Sequence, residues 1–104
     1  MVNTLPSKFA IKAGPPALIF VTVDWCHFCT QLKPRIKEFE KILGGAVPVY
    51  TVDGDASPDK VKEFQVDGFP TILYKTSAGK LYQYNGPREP AAVYKFISTY
   101  DSVL

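Results

Sequence analysis

The chain has 104 residues, 46% of them hydrophobic, and its 12 basic against 10 acidic side chains leave a formal net charge of +2. That length and apolar content describe one globular domain with a modest core, spanning residues 1–104. The near-neutral balance argues against a dedicated nucleic-acid or membrane binder, and two cysteines are too few for a disulfide scaffold or a four-cysteine zinc site.

Residues 6–13 predict a short first helix, broken by Gly14-Pro15-Pro16. Ala17 to Val23 is an almost unbroken run of apolar and β-branched residues. It predicts a strand covered on both faces, the central strand of an α/β sheet. Cys26 to Leu43 predicts a helix, because Leu32, Ile36, Phe39 and Leu43 step by 4, 3 and 4 and so share one stripe. Pro34 inside it removes a backbone donor and crowds the preceding turn, which predicts a kink. Gly44-Gly45 ends the helix. Val49 to Asp53 predicts a second strand, with Pro48 at its start. Ser57 caps a short helix that begins with Pro58 and Asp59 and runs to Gln65. Thr71 to Thr76 and Lys80 to Asn85 predict a hairpin turning at Ser77-Ala78-Gly79. Glu89 to Tyr100 predicts a last helix, with Val93, Phe96, Ile97 and Tyr100 on one face. This order gives an α/β fold, a mixed central sheet with helices on both faces.

The chemically informative segment is Asp24-Trp25-Cys26-His27-Phe28-Cys29-Thr30, where the buried strand hands over to a helix. A sulfur at a helix start faces unpaired backbone N–H groups and the positive end of the dipole, so Cys26 is expected to favour its thiolate. Cys29 lies one turn further in, near enough to close a disulfide. Cys26 would attack a substrate disulfide, and Cys29 would resolve the mixed disulfide. Two other readings exist for such a pair. The cysteines can be buried and structural, or half of a metal site completed by a second subunit, with His27 as a third ligand. The strand-to-helix setting favours the redox reading.

Further motifs share this order and spacing: Pro34 five residues after Cys29, Asp53 closing the second strand, Gly68-Phe69-Pro70-Thr71, Gly79 in the hairpin, and Tyr84-Asn85-Gly86-Pro87-Arg88-Glu89 before the last helix. With Trp25-Cys26-x-x-Cys29 they resemble the thioredoxin superfamily over nearly the whole chain, and more closely a single catalytic domain of the protein disulfide isomerases. The resemblance implies a thioredoxin fold and a cis Phe69-Pro70 peptide bond beside the cysteines. It implies that Phe69 offers backbone hydrogen bonds to an extended substrate, with Trp25 as one wall of the groove rather than a core tryptophan. Arg88 matches an arginine that, in isomerase domains, lowers the pKa of the second cysteine.

The sequence departs from the family in two ways. His27-Phe28 stands where thioredoxins carry Gly-Pro and isomerases Gly-His, so the histidine follows the first cysteine instead of preceding the second. Protonated His27 is expected to lower the Cys26 pKa by proximity. Phe28 either binds apolar substrate or packs in place. The family also carries a buried acid six residues before the first cysteine, and a lysine partner two residues before Asp53; here these positions are Phe20 and Thr51. Losing both charges together is coherent, since one alone would be costly to bury. Cys29 should then lack its internal proton acceptor, for which Asp24 is a candidate by position.

The expected function is a thiol–disulfide oxidoreductase acting on protein disulfides or thiols as reductase, oxidase or isomerase. Its catalytic set is Cys26, Cys29, His27 and Arg88, and its substrate contacts are Trp25, Phe28, Phe69 and Pro70. No phosphate-binding glycine loop is present, so no cofactor or metal is expected, and electrons come from a reductase or a small thiol. A docking module of a larger assembly and a glutathione-using enzyme are the alternatives. With no apolar leader, no retention signal and no apolar run near the roughly 20 residues of a membrane span, the expectation is a cytoplasmic monomer.

Overall fold

In the computed structural model, which describes residues 3–102, the chain forms β1 (Asn3–Thr4), β2 (Ala17–Thr22), α1 (His27–Leu32), a 3₁₀ turn (Lys33–Arg35), α2 (Ile36–Leu43), β3 (Val49–Asp53), α3 (Pro58–Glu63), β4 (Thr71–Lys75), β5 (Leu81–Tyr84) and α4 (Pro90–Ser98). Met1-Val2 and Val103-Leu104, on which the leader and retention-signal readings partly rest, lie outside the described residues. The strands make one sheet in the order β1-β3-β2-β4-β5. β2 runs parallel to β3 and antiparallel to β4, so Leu18 sits between Val49 and Tyr74.

All six residues of β2 are buried, because both faces of the sheet are covered. Alternate side chains serve two cores. Leu18 and Phe20 join Leu32, Ile36, Phe39, Leu43, Val93 and Ile97 on the side of α2 and α4. Ile19 and Val21 join Leu5, Val52, Phe64 and Leu73 on the side of α3. Phe20 meets Phe39 edge-on, with ring centroids 5.0 Å apart.

The expected bend at Pro34 takes the form of the 3₁₀ turn that separates α1 from α2. Proline has no N–H for the carbonyl four residues back, so the ladder is interrupted there. Gly44 then ends α2 in the left-handed conformation at φ 59°. The hairpin strands and α4 match their expected positions within two residues at each end.

Residues 6–13 do not form the expected helix. Phe9 donates its N–H to the Pro6 carbonyl at 3.1 Å and Lys12 to that of Ala10 at 3.1 Å, which makes turns rather than a helical ladder. So short a segment cannot repay helix nucleation alone. It is fixed by tertiary contacts instead: the Phe9 ring lies 6.3 Å from Tyr50 and 6.2 Å from Phe64. Tyr100, expected on the buried face of the last helix, lies beyond its end, 40% exposed and stacked on Tyr82 at 4.4 Å.

Candidate functional site

The site forms where β2 runs out. Cys26 is the N-cap of α1, in extended backbone geometry, and its carbonyl accepts the Thr30 N–H at 3.1 Å. The next turn carries Cys29 inward, where it is fully buried. Cys26 stays partly exposed, and both thiols are free. The two cysteines lie 3.2 Å apart at their closest approach.

This placement divides their acidities. The Cys26 thiol sits below its ordinary pKa because its thiolate accepts hydrogen bonds, first from the Cys29 thiol, then from backbone N–H groups of Cys29 and Phe28, and because Arg88 adds a favourable charge. Burial pushes Cys29 up, and the neighbouring Cys26 pushes it further; the Val23 backbone and the Lys33 charge oppose this. When protonated, the Cys26 thiol donates instead to the Phe69 carbonyl at 3.5 Å.

The Phe69-Pro70 peptide is cis, the geometry that the resemblance implied. It brings the Phe69 carbonyl to Cys26 and the Phe69 ring edge-on to Trp25, centroids 5.8 Å apart. Gly54 makes room for that ring: a Cβ there would lie 2.7 Å from it. Trp25 is 70% exposed, on the surface rather than in the core, and its Nε1 donates to Asp55 Oδ2 at 3.0 Å. Beyond Pro70 lies a hollow of about 270 Å³ whose lining includes Gly68, Phe69, Pro70, Tyr84 and Arg88.

Phe28 is 58% exposed, and the Arg88 guanidinium lies over its ring at 5.8 Å. Arg88 therefore comes to the site beside Cys26, and its charge bears on that thiol, while the Lys33 charge bears on Cys29. The His27 ring lies 5.7 Å from that of Phe28, with Nε2 at 3.3 Å from the Gln31 amide nitrogen. Among the described residues no three His, Cys, Asp or Glu side chains converge to hold a metal ion.

Phe20 is buried and paired in register with Thr51, so neither of these two positions carries a charge. Asp24, named as a candidate acceptor for the Cys29 proton, is instead engaged by Lys33, whose Nζ lies 2.5 Å from Asp24 Oδ1. That cation holds the Asp24 carboxyl below the usual carboxylate range, which makes it a weak base. Lys33 and Asp55 were not picked out from the sequence. Lys33 carried one usable signal, its place one helical turn after Cys29. Asp55 carried none, since it meets Trp25 across 30 residues of chain.

The thioredoxin family model matches residues 4–99. A mitochondrial thioredoxin domain-containing protein of Schizosaccharomyces pombe is 35% identical over 93% of this chain and 29% of its own length. A protein disulfide-isomerase of Medicago sativa is 32% identical over 83% of this chain and 17% of its own. Among solved structures, the J-Trx1 fragment of ERdj5 superposes with a TM-score of 0.83 at 21% identity, covering 94% of this chain and 50% of the other. The chain thus has the thioredoxin fold, and it spans under a third of those two curated relatives. The expected cytoplasmic location is overturned: the Schizosaccharomyces relative is a mitochondrial protein, and the relatives together point away from the cytoplasm. A stretch matching so small a part of its relatives carries no information on their leaders, which is why that expectation failed.

Proposed function

The chain belongs to the thioredoxin family and is a thiol–disulfide oxidoreductase domain, and from that premise we propose that it exchanges disulfides with protein substrates as an isomerase-type domain of a longer protein. The observation that carries this reading is the asymmetry of the two sulfurs, one accessible and acidified, the other buried and held protonated. The Cys26 thiolate attacks a substrate disulfide, and one substrate sulfur leaves with the electron pair and takes a proton. Cys29 then loses its proton and attacks Cys26 Sγ. The Cys26–Cys29 bond forms and the second substrate sulfur departs, so the domain is oxidised and the substrate reduced by two electrons. Run backwards, the same steps oxidise a substrate dithiol.

Trp25, Phe28 and Phe69 supply apolar contact to an extended substrate, and Phe69 and Pro70 its backbone docking edge. Arg88, with His27 beside Cys26, favours the attacking thiolate. Electrons come from a partner reductase or a small thiol. The docking-module alternative is disfavoured by the closeness of two free thiols.

Insulin reduction tests the reading. The wild-type domain should precipitate insulin chains in the presence of dithiothreitol, and Cys26→Ser should abolish this. Cys29→Ser should instead accumulate a mixed disulfide on Cys26. A Cys26→Ser protein as active as wild type would overturn the assignment.

A further inference from the structure

Cys29 must become a thiolate in the resolving step, yet it is fully buried beneath the Cys26 turn. In the sheet, Phe20 of β2 pairs in register with Thr51 of β3, and neither is ionisable. Titratable groups lie on the neighbouring elements. From α1 there are Cys26 and His27. From the turn after it come Lys33 and, one turn on, Lys37. β3 contributes Asp53, the end of β2 leads to Asp24, and the loop before α4 brings Arg88 to the Cys26 side.

Of these, Lys33 stands out by geometry. It follows Cys29 by one turn, and its backbone N–H bonds to the Cys29 carbonyl, so both side chains leave the same face of the helix. Its Nζ is fixed by Asp24 at 2.5 Å, and Asp24 lies in the turn that delivers Cys26. Lys33 also borders a cavity of about 470 Å³ between this helical segment and strands β2 and β3, whose lining includes Thr22, Pro34, Thr51 and Asp53.

We propose that Lys33, held in place by Asp24 and one turn on from Cys29 on the same helix face, is a positioning residue for the resolving thiol: its ammonium favours the Cys29 thiolate. The inference rests on the exchange reading above. In the step concerned, Cys29 Sγ–H gives its proton to solvent. The Cys29 sulfur then attacks Cys26 Sγ, the bond between Cys26 and the substrate sulfur breaks, and the departing sulfur keeps the electron pair. The charges of Lys33 and Cys29 bear on each other directly, each stabilising the other's ionised form. Because Lys33 is partly exposed, at 39%, the effect is screened and modest.

The test uses a small aromatic disulfide, dithiobis-nitrobenzoate, on the reduced protein. Capture by Cys26 releases one coloured thiolate, and resolution by Cys29 releases the second. Lys33→Met should slow the second release about threefold to fivefold at neutral pH, with its pH profile moved upward and the first release unchanged. Lys33→Arg should restore both the rate and the profile, which a merely structural role would not require. A Lys33→Met protein with the wild-type second-phase rate and pH profile overturns the inference alone. A wild-type protein that captures the reagent but never releases a second thiolate overturns the exchange reading and the inference with it.

Discussion

The interior of β2 and the turn that follows it are neighbours in the chain and opposites in their physics. From Ala17 to Thr22 every side chain is buried, and apolar residues are where apolar residues belong. From Trp25 to Phe28 the chain places a tryptophan and a phenylalanine in solvent, at 70% and 58% exposure, around a half-exposed thiol. Isolated exposed aromatics need no explanation; two of them flanking a reactive sulfur do. The strand hides its apolar surface, and the turn leaves apolar surface in solvent. Hydropathy reads burial well inside the sheet and fails at its end, where Trp25 and Phe28 stay exposed.

The comparison breaks most severely if charge is moved into the strand. Phe20→Glu would strand an unpaired carboxylate against Phe39 and empty part of the core. The expected loss is about 3–5 kcal/mol, read from the urea unfolding midpoint. A variant as stable as wild type would show that the strand's surroundings are not as dry as its packing implies. This also limits any attempt to rebuild an internal proton acceptor at position 20, since the fold would suffer before the chemistry could be judged.

The turn can be probed by alkylation. Because the Cys26 pKa is lowered and the Cys29 pKa raised, iodoacetamide should label Cys26 faster by at least about tenfold at neutral pH. The sign follows from the reactive form: the labelling rate climbs with pH as thiolate appears, and for Cys26 it should level off at a lower pH than for a free cysteine. Equal labelling of both sulfurs in the folded protein would erase the distinction. The smallest effect is expected at Arg88, whose charge lowers Cys26 by less than the hydrogen bonds from Cys29 and Phe28 do. Arg88→Gln should shift the Cys26 labelling profile upward and slow it by about twofold near neutrality. A shift in the Cys29 profile instead would return Arg88 to the resolving thiol.

Much of this could be seen in the sequence, for reasons tied to particular residues. The run from Ala17 to Val23 has no polar interruption wider than Thr22, so a doubly covered strand is its natural state. Pro34 and Gly44 declare themselves because their covalent structure dictates the backbone. Cys26 and Cys29 are local in sequence as well as in space. What stayed hidden depends on the fold. Trp25 meets Asp55, and the Phe69 carbonyl reaches Cys26, across 30 and 43 residues. Lys33 gains its meaning from Asp24, a partner that no spacing rule reveals. Residues 6–13 were misread because local propensity counts for little where Phe9 can pack on Tyr50 and Phe64.

Setting Phe20 edge-on to Phe39 has a consequence for endurance as well as for catalysis. Neither core cluster contains a carboxylate among the described residues, so nothing in the two hydrophobic layers gains or loses a proton between mildly acidic and mildly alkaline surroundings. The two layers are thereby indifferent to the acidity of whatever compartment holds them, while Asp101 at the edge of one, bonded to Tyr74 and Ser77, and the sulfurs at the rim remain free to respond.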